Sequence, residues 1–183
     1  MNLADRLLAI HRALDSASIP HAFGGAIALA YWTHEPRGTR DIDVNLFVPQ
    51  ERCEPALAAL PDGVKYGEET VARIKADGQA RLWWNDTPID VFFDNLPLHE
   101  QAARNRQTVA FEGVEISVLG PSELALFKVM FDRTRDWADI EAMLEASNLD
   151  VDQLRESLVG LVGPEDRRVA RLDQTVARLE ADR

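Results

Sequence analysis

Apolar residues recur at helical spacing at Leu3, Leu7, Ile10 and Leu14, which predicts an amphipathic helix over residues 3–16, ended by Ile19-Pro20. His21 to Gly24 then reads as a short apolar strand, and an alanine-rich helix runs through Trp32. Thr33 to Thr39, with Pro36 and Gly38, is a loop. A strand follows from about Asp41 to Val48, stopped by Pro49, and Glu51 to Leu60 returns to helix until Pro61-Asp62-Gly63 breaks it. From Val64 to Phe93 the pattern predicts mostly strand, including Val71–Ile74 and Ala80–Trp84, with Asn85-Asp86-Thr87-Pro88 turning the chain into Ile89–Phe93. A helix over Leu98–Asn105 precedes a second hairpin, Thr108–Phe111 and Val114–Val118, whose Glu112-Gly113 turn puts glycine at positive φ. Beyond Gly120-Pro121 the pattern is helical to the end, with stripes at Leu124, Phe127, Phe131, then Trp137, Ile140, Leu144, and on through Leu154, Leu158, Val169 and Leu172.

These elements predict an α+β fold: a mixed β-sheet flanked by helices over residues 1–119, with a C-terminal helical bundle over 120–183 packed on that core. Neither side of residue 120 has the polar, Gly/Ser-rich composition of a flexible linker. With 46% apolar and 28% charged residues, the 183-residue chain has the make-up of an ordinary folded protein and not of a disordered one. No apolar run approaches the roughly 20 residues that span a bilayer, and no signal-type segment opens the chain, so the expected location is cytoplasmic, with no membrane partner. The single cysteine, Cys53, excludes an internal disulfide and reads as a small apolar filler in a surface helix.

The chemistry is concentrated between residues 23 and 43. In Asp41-Ile42-Asp43-Val44 the alternation of a strand puts both carboxylates on one face, with Ile42 and Val44 on the other. Two such carboxylates either repel or are bridged by a cation, and all-oxygen ligands suit a hard one such as Mg²⁺, shared with substrate phosphates. Gly24-Gly25, at the start of a helix, lets a phosphate approach the main chain where free N–H groups favour an anion. Asp90 is the ionisable group in the apolar run Ile89-Asp90-Val91; beside the Asp41/Asp43 strand it would complete a cluster of three carboxylates able to hold metal and accept a proton from an attacking hydroxyl. An isolated Asp-x-Asp is more often a solvent-facing pair, and it is the company of Gly24-Gly25 and Asp90 that turns the reading toward a metal site. Lys128 is either a lysine snorkelling from a helical stripe or a cation aimed at a triphosphate. Asp136 and Asp139, near Arg133 and Arg135, are either salt-bridged surface groups or supports of the site.

The combination Gly24-Gly25, Thr39-x-Asp41-x-Asp43 and Ile89-Asp90-Val91 resembles the signature of the DNA polymerase β-type nucleotidyltransferase superfamily. Glu123 to Lys128, followed by Arg135-Asp136-Trp137-Ala138-Asp139-Ile140, resembles the helices of AbiEii-type nucleotidyltransferase toxins, and the resemblance covers residues 20–145. It implies a nucleotidyltransferase-type sheet and an enzyme that moves a nucleoside monophosphate from an NTP to a hydroxyl, releasing pyrophosphate. By the same resemblance Asp41, Asp43 and Asp90 would hold Mg²⁺, Gly24 and Gly25 would border the phosphates, Thr39 would touch phosphate through its hydroxyl, with Arg40 beside it, Lys128 would steady the triphosphate, and Asp136 would assist binding or proton transfer. Gly24-Gly25 departs from the more usual Gly-Ser, so Thr39 is the candidate to replace the missing hydroxyl. In the toxin branch the acceptor resembles a tRNA 3′ end, with Arg37, Arg40, Arg104, Arg106, Arg133 and Arg135 as candidate contacts and a cognate antitoxin as a possible partner. The formal charge of −11 speaks against a general nucleic-acid coat and keeps open the alternative of a nucleotidyltransferase acting on a cationic aminoglycoside or a lincosamide; a third reading, an inactive nucleotide-binding homologue, has the intact Asp41, Asp43 and Asp90 against it.

Overall fold

The computed structural model describes residues 1–33, 37–146 and 148–182; part of the loop expected over Thr33–Thr39 lies outside these residues. The chain divides into two compact units: Met1–Ile27 with Gly38–Leu119, and the remainder of the second helix and Arg37 with the residues from Gly120 onward.

The first unit is built on a sheet of β1 (His21–Phe23), β2 (Ile42–Pro49), β3 (Val64–Lys65), β4 (Gln79–Trp84), β5 (Thr87–Asp94), β6 (Gln107–Phe111) and β7 (Val114–Val118), in the order β3-β4-β5-β2-β1-β7-β6. It is mixed. β2 pairs β5 and β1 pairs β7 in parallel, while the other neighbours are antiparallel. Ile42, Val44, Leu46, Ile89, Val91 and Phe93, alternate residues of the two central strands, are fully buried. At about 1.5–3 kcal/mol for each large apolar side chain removed from water, this row fixes which face of β2 and β5 turns its polar residues outward. The helices of this unit are α1 (Leu3–Ser16), the start of α2 (Gly25–Trp32), α3 (Cys53–Ala58), α4 (Glu68–Asp77) and α5 (Pro97–Asn105). Asn2 and Asp5 close a capping box at the head of α1, and its Leu7, Ile10 and Leu14 are buried as the periodicity requires.

The structure corrects two local expectations. Val71–Ile74 belongs to helix α4 and not to a strand: Gly67 caps its start, Gly78 ends it at φ +71°, and of its apolar positions Ile74 is the buried one. The hairpin turn is Asn85-Asp86 alone, with Asn85 at φ +54°, so Thr87 and Pro88 already lie in β5. Cys53 is fully buried with Ala56 and Leu57, while exposed Glu54, Pro55 and Ala58 keep α3 a surface helix as expected, and burial pushes the Cys53 thiol pKa up, which suits a filler and not a nucleophile.

The second unit holds α6 (Pro121–Phe131), α7 (Thr134–Glu145), α8 (Val151–Val162) and α9 (Arg167–Ala181). Trp137, Ile140, Leu144, Leu154, Leu158, Val169 and Leu172 are buried, as their periodicity requires, but the first stripe enters the core at Leu124 alone: Phe127 is half-buried and Phe131, at the end of α6, is 39% exposed. Among the described residues, no helix is long and apolar enough to cross a membrane.

Candidate active site

The carboxylates stand on the outward face of the first unit's sheet. Asp43 on β2 is the register partner of Asp90 on β5, and Asp90 is the partner of Arg81 on β4, so the three side chains form a row across adjacent strands. Asp41 sits one residue before β2. Its backbone is held by Thr39: the Asp41 N–H donates to the Thr39 hydroxyl, which donates in turn to the Asp41 carbonyl, each at 3.2 Å. Thr39 therefore fixes the approach of Asp41 to the strand, a local turn that short hydroxyl side chains favour.

Arg81 closes the row. Its Nε donates to Asp90 Oδ1 at 2.8 Å and its Nη2 to Asp90 Oδ2 at 2.7 Å, and Nη2 also lies 3.5 Å from Asp41 Oδ2. The bidentate bond to Asp90, followed by the charges of Asp90, Asp41 and Asp43, drives the Arg81 pKa still higher than its ordinary value, so the group is a permanent cation. Among the described residues, no three acidic, His or Cys side chains gather as a bound metal would require. The donor set nevertheless fits a hard divalent ion, being all carboxylate oxygen, and a guanidinium cation already bridges two of its members. Arg81 is the group that the sequence reading missed. The signal was the two-residue turn: counted back from Asn85-Asp86, position 81 falls opposite position 90.

Gly24 and Gly25 carry the chain from β1 over this row into α2. The Gly24 N–H donates to the Asp43 carbonyl at 2.9 Å. Gly25 has φ +50°, and a Cβ built there would overlap the Asp43 carboxylate. The space left by the missing side chain is therefore filled by Asp43 itself. Arg40 is exposed. Arg104 pairs with Glu100, and Arg106 lies 6.0 Å from the Phe47 ring centroid.

In the second unit, Lys128 is 5% exposed and not a snorkelling lysine; its Nζ donates to Asp139 Oδ2 at 2.6 Å and lies 4.0 Å from Asp136 Oδ1. Asp136 and Asp139 are likewise buried, not surface groups. Arg37 donates to both oxygens of Asp139, at 3.1 and 2.7 Å, and Arg133 donates to both of Asp136, which also accepts the Arg133 N–H at the head of α7. Arg135 is exposed. Each buried carboxylate thus has an arginine besides the lysine. Removing one partner of a buried pair generally costs about 3–5 kcal/mol, and because an arginine remains on each aspartate, Lys128→Met is expected to cost only about 2 kcal/mol, read as a lowered urea midpoint at unchanged slope.

The family model described as "Nucleotidyl transferase AbiEii toxin, Type IV TA system" matches residues 6–182. No curated protein sequence matches the chain. Among solved structures, the chain is similar to the solution structure of the antibiotic-resistance factor ANT(2″)-Ia, with 14% identity and a TM-score of 0.62 over 93% of this chain and 95% of that one. It is similar also to the crystal structure of ANT(2″)-Ia in complex with adenylyl-2″-tobramycin, with 16% identity and a TM-score of 0.62 over 86% of this chain and 95% of that one. At these identities the likeness is one of fold.

Proposed function

From the premise that this chain belongs to the AbiEii nucleotidyl transferase toxin family of type IV toxin–antitoxin systems, we propose that it transfers a nucleoside monophosphate from an NTP to the 3′-terminal hydroxyl of a tRNA. The observation that carries this reading is the row on the sheet, with Asp43 in register with Asp90 and Asp41 drawn to the same guanidinium as Asp90. In the proposed reaction the acceptor oxygen forms a bond to the α-phosphorus of the NTP. The bond from that phosphorus to the bridging oxygen breaks, and pyrophosphate leaves with the electron pair. The hydroxyl proton passes to the Asp90 carboxylate. Asp41, Asp43 and Asp90 are the residues that would hold Mg²⁺, which when bound neutralises phosphate charge and polarises the phosphoryl group. Thr39 keeps Asp41 in place through its backbone, and Gly24-Gly25, at the head of α2, is assigned the border of the nucleotide phosphates, where a helix N-terminus favours an anion. Lys128 is assigned a part in NTP use and Asp136 one in binding or proton transfer. A cognate antitoxin, suggested by the type IV family description, is the proposed protein partner.

Two observations favour a second acceptor. A charge of −11 attracts a cationic drug and repels RNA, and one of the similar structures is named for a complex with adenylyl-2″-tobramycin. Incubation with Mg²⁺, labelled NTPs and either total tRNA or an aminoglycoside panel separates the two readings. Label on RNA is the expected result; label on the drug alone replaces the acceptor, and NTP binding without turnover overturns the enzymatic reading for this chain. In the same assay Lys128→Met, corrected for folded fraction, is expected to raise the NTP concentration needed for half-maximal rate.

A further inference from the structure

Asp90 can take a proton or join a divalent ion only if something lets go of it first. Both of its oxygens are engaged by Arg81, and the same guanidinium reaches Asp41. A guanidinium and a divalent ion compete for these groups, since each is drawn to the same carboxylate charge and the two cations repel one another. Register makes the competition a built feature: Arg81 is the cross-strand partner of Asp90 and needs no unusual backbone to reach it. Arg81 is also able to move. Its side chain is 48% exposed, and it lines a cavity of about 170 Å³ with Ala80 and with Glu69, Thr70 and Arg73 of α4, where the Glu69 carboxylate offers a released guanidinium a second anion.

Building on the nucleotidyl-transfer reading, we propose that Arg81 is the resident counter-cation of Asp41 and Asp90, and that it leaves them when a divalent cation binds. Without metal it keeps the row of carboxylates from repelling itself apart. Toward metal it acts as a competitor, so the affinity of the free protein for a divalent ion is set partly by how readily this arginine is displaced. Arg81 is thus a positioning residue, acting through Asp90 and Asp41.

The test is Mn²⁺ binding to the full chain without nucleotide, followed by electron paramagnetic resonance, together with thermal unfolding in EDTA and in Mn²⁺. With Arg81 48% and Asp90 22% exposed, the pair's worth is on the order of the upper range for surface pairs, so Arg81→Gln is expected to bind Mn²⁺ roughly five- to tenfold more tightly than wild type. It should unfold at a lower temperature in EDTA, with the difference closing as Mn²⁺ is added. Arg81→Lys, which keeps the charge but loses the fork, should fall between the two and serves if the glutamine variant does not fold. Equal or weaker Mn²⁺ binding by the glutamine variant overturns the proposal. If Asp43→Ala abolishes binding in the same series, only the role of Arg81 falls; if Asp43→Ala also leaves binding unchanged, the metal site, and with it the reading beneath, falls too.

Discussion

Asp43→Ala is expected to lower nucleotidyl transfer by about a thousandfold or more while leaving the thermal midpoint within a degree or two of wild type. The activity loss follows from the proposed place of Asp43 among the carboxylates that hold the divalent ion, whose charge stabilisation is worth several kcal/mol at about 1.4 kcal/mol per tenfold in rate. The small effect on stability follows from the structure. Asp43 is a partly exposed member of a row that also contains Asp90 and Asp41, so truncating it relieves repulsion from two carboxylates, which offsets the lost attraction to Arg81. The buried residues that fix β2, Ile42, Val44 and Leu46, are untouched. Asp41→Ala should behave alike in rate, although it also takes a carboxylate from Arg81 at 3.5 Å. Rates measured under saturating Mg²⁺ and NTP, beside unfolding curves in EDTA, decide the matter. Activity retained within tenfold of wild type would remove Asp43 from the chemistry.

What the sequence disclosed, and what it hid, divides along the range of the interactions involved. Strand alternation is a local property, and it was enough to orient Asp43 away from Ile42 and Val44 and to set Asp90 between buried Ile89 and Val91. The change of period near Gly120 likewise marked where helix replaces strand. Helix α4 was missed because Val71 and Ile74 look like strand residues in isolation, whereas the glycines at 67 and 78 that cap the segment are the stronger signal. Arg81 was missed because its role depends on register, and a turn read as four residues instead of two shifts every cross-strand pair that follows from it. The burial of Lys128 was beyond reach for a different reason. Its partner Asp139 is eleven residues away and is clasped by Arg37 from 102 residues away, and no periodicity in a single helix reports such a closure.

Gly25→Ala is the second substitution with a large expected effect, and it separates two roles that the same glycine could play. As a phosphate cradle, Gly25 would matter only once a nucleotide arrives, so its replacement would raise the NTP requirement and leave metal binding by the free protein alone. The structure adds an earlier demand. Gly25 lies at φ +50°, where an L-residue is strained by about 1–2 kcal/mol, and the new methyl would occupy the place of the Asp43 carboxylate. Asp43 must then rotate away from the row it shares with Asp90, because the backbone on either side is held: the Gly24 N–H is bonded to the Asp43 carbonyl, and Phe23 pairs with Val44. The variant is therefore expected to lose about a hundredfold or more in transfer rate, on the scale of a misplaced catalytic group, and to bind Mn²⁺ more weakly even without nucleotide. Gly24→Ala is the control. Its added carbon would come within 3.1 Å of Asn45 Nδ2 and 3.2 Å of Leu119 Cδ1, contacts that small side-chain shifts relieve, so its losses should be milder. Unchanged Mn²⁺ affinity in Gly25→Ala, with only the NTP requirement raised, would return the glycine to the phosphate role alone and deny that its empty side defines the position of Asp43.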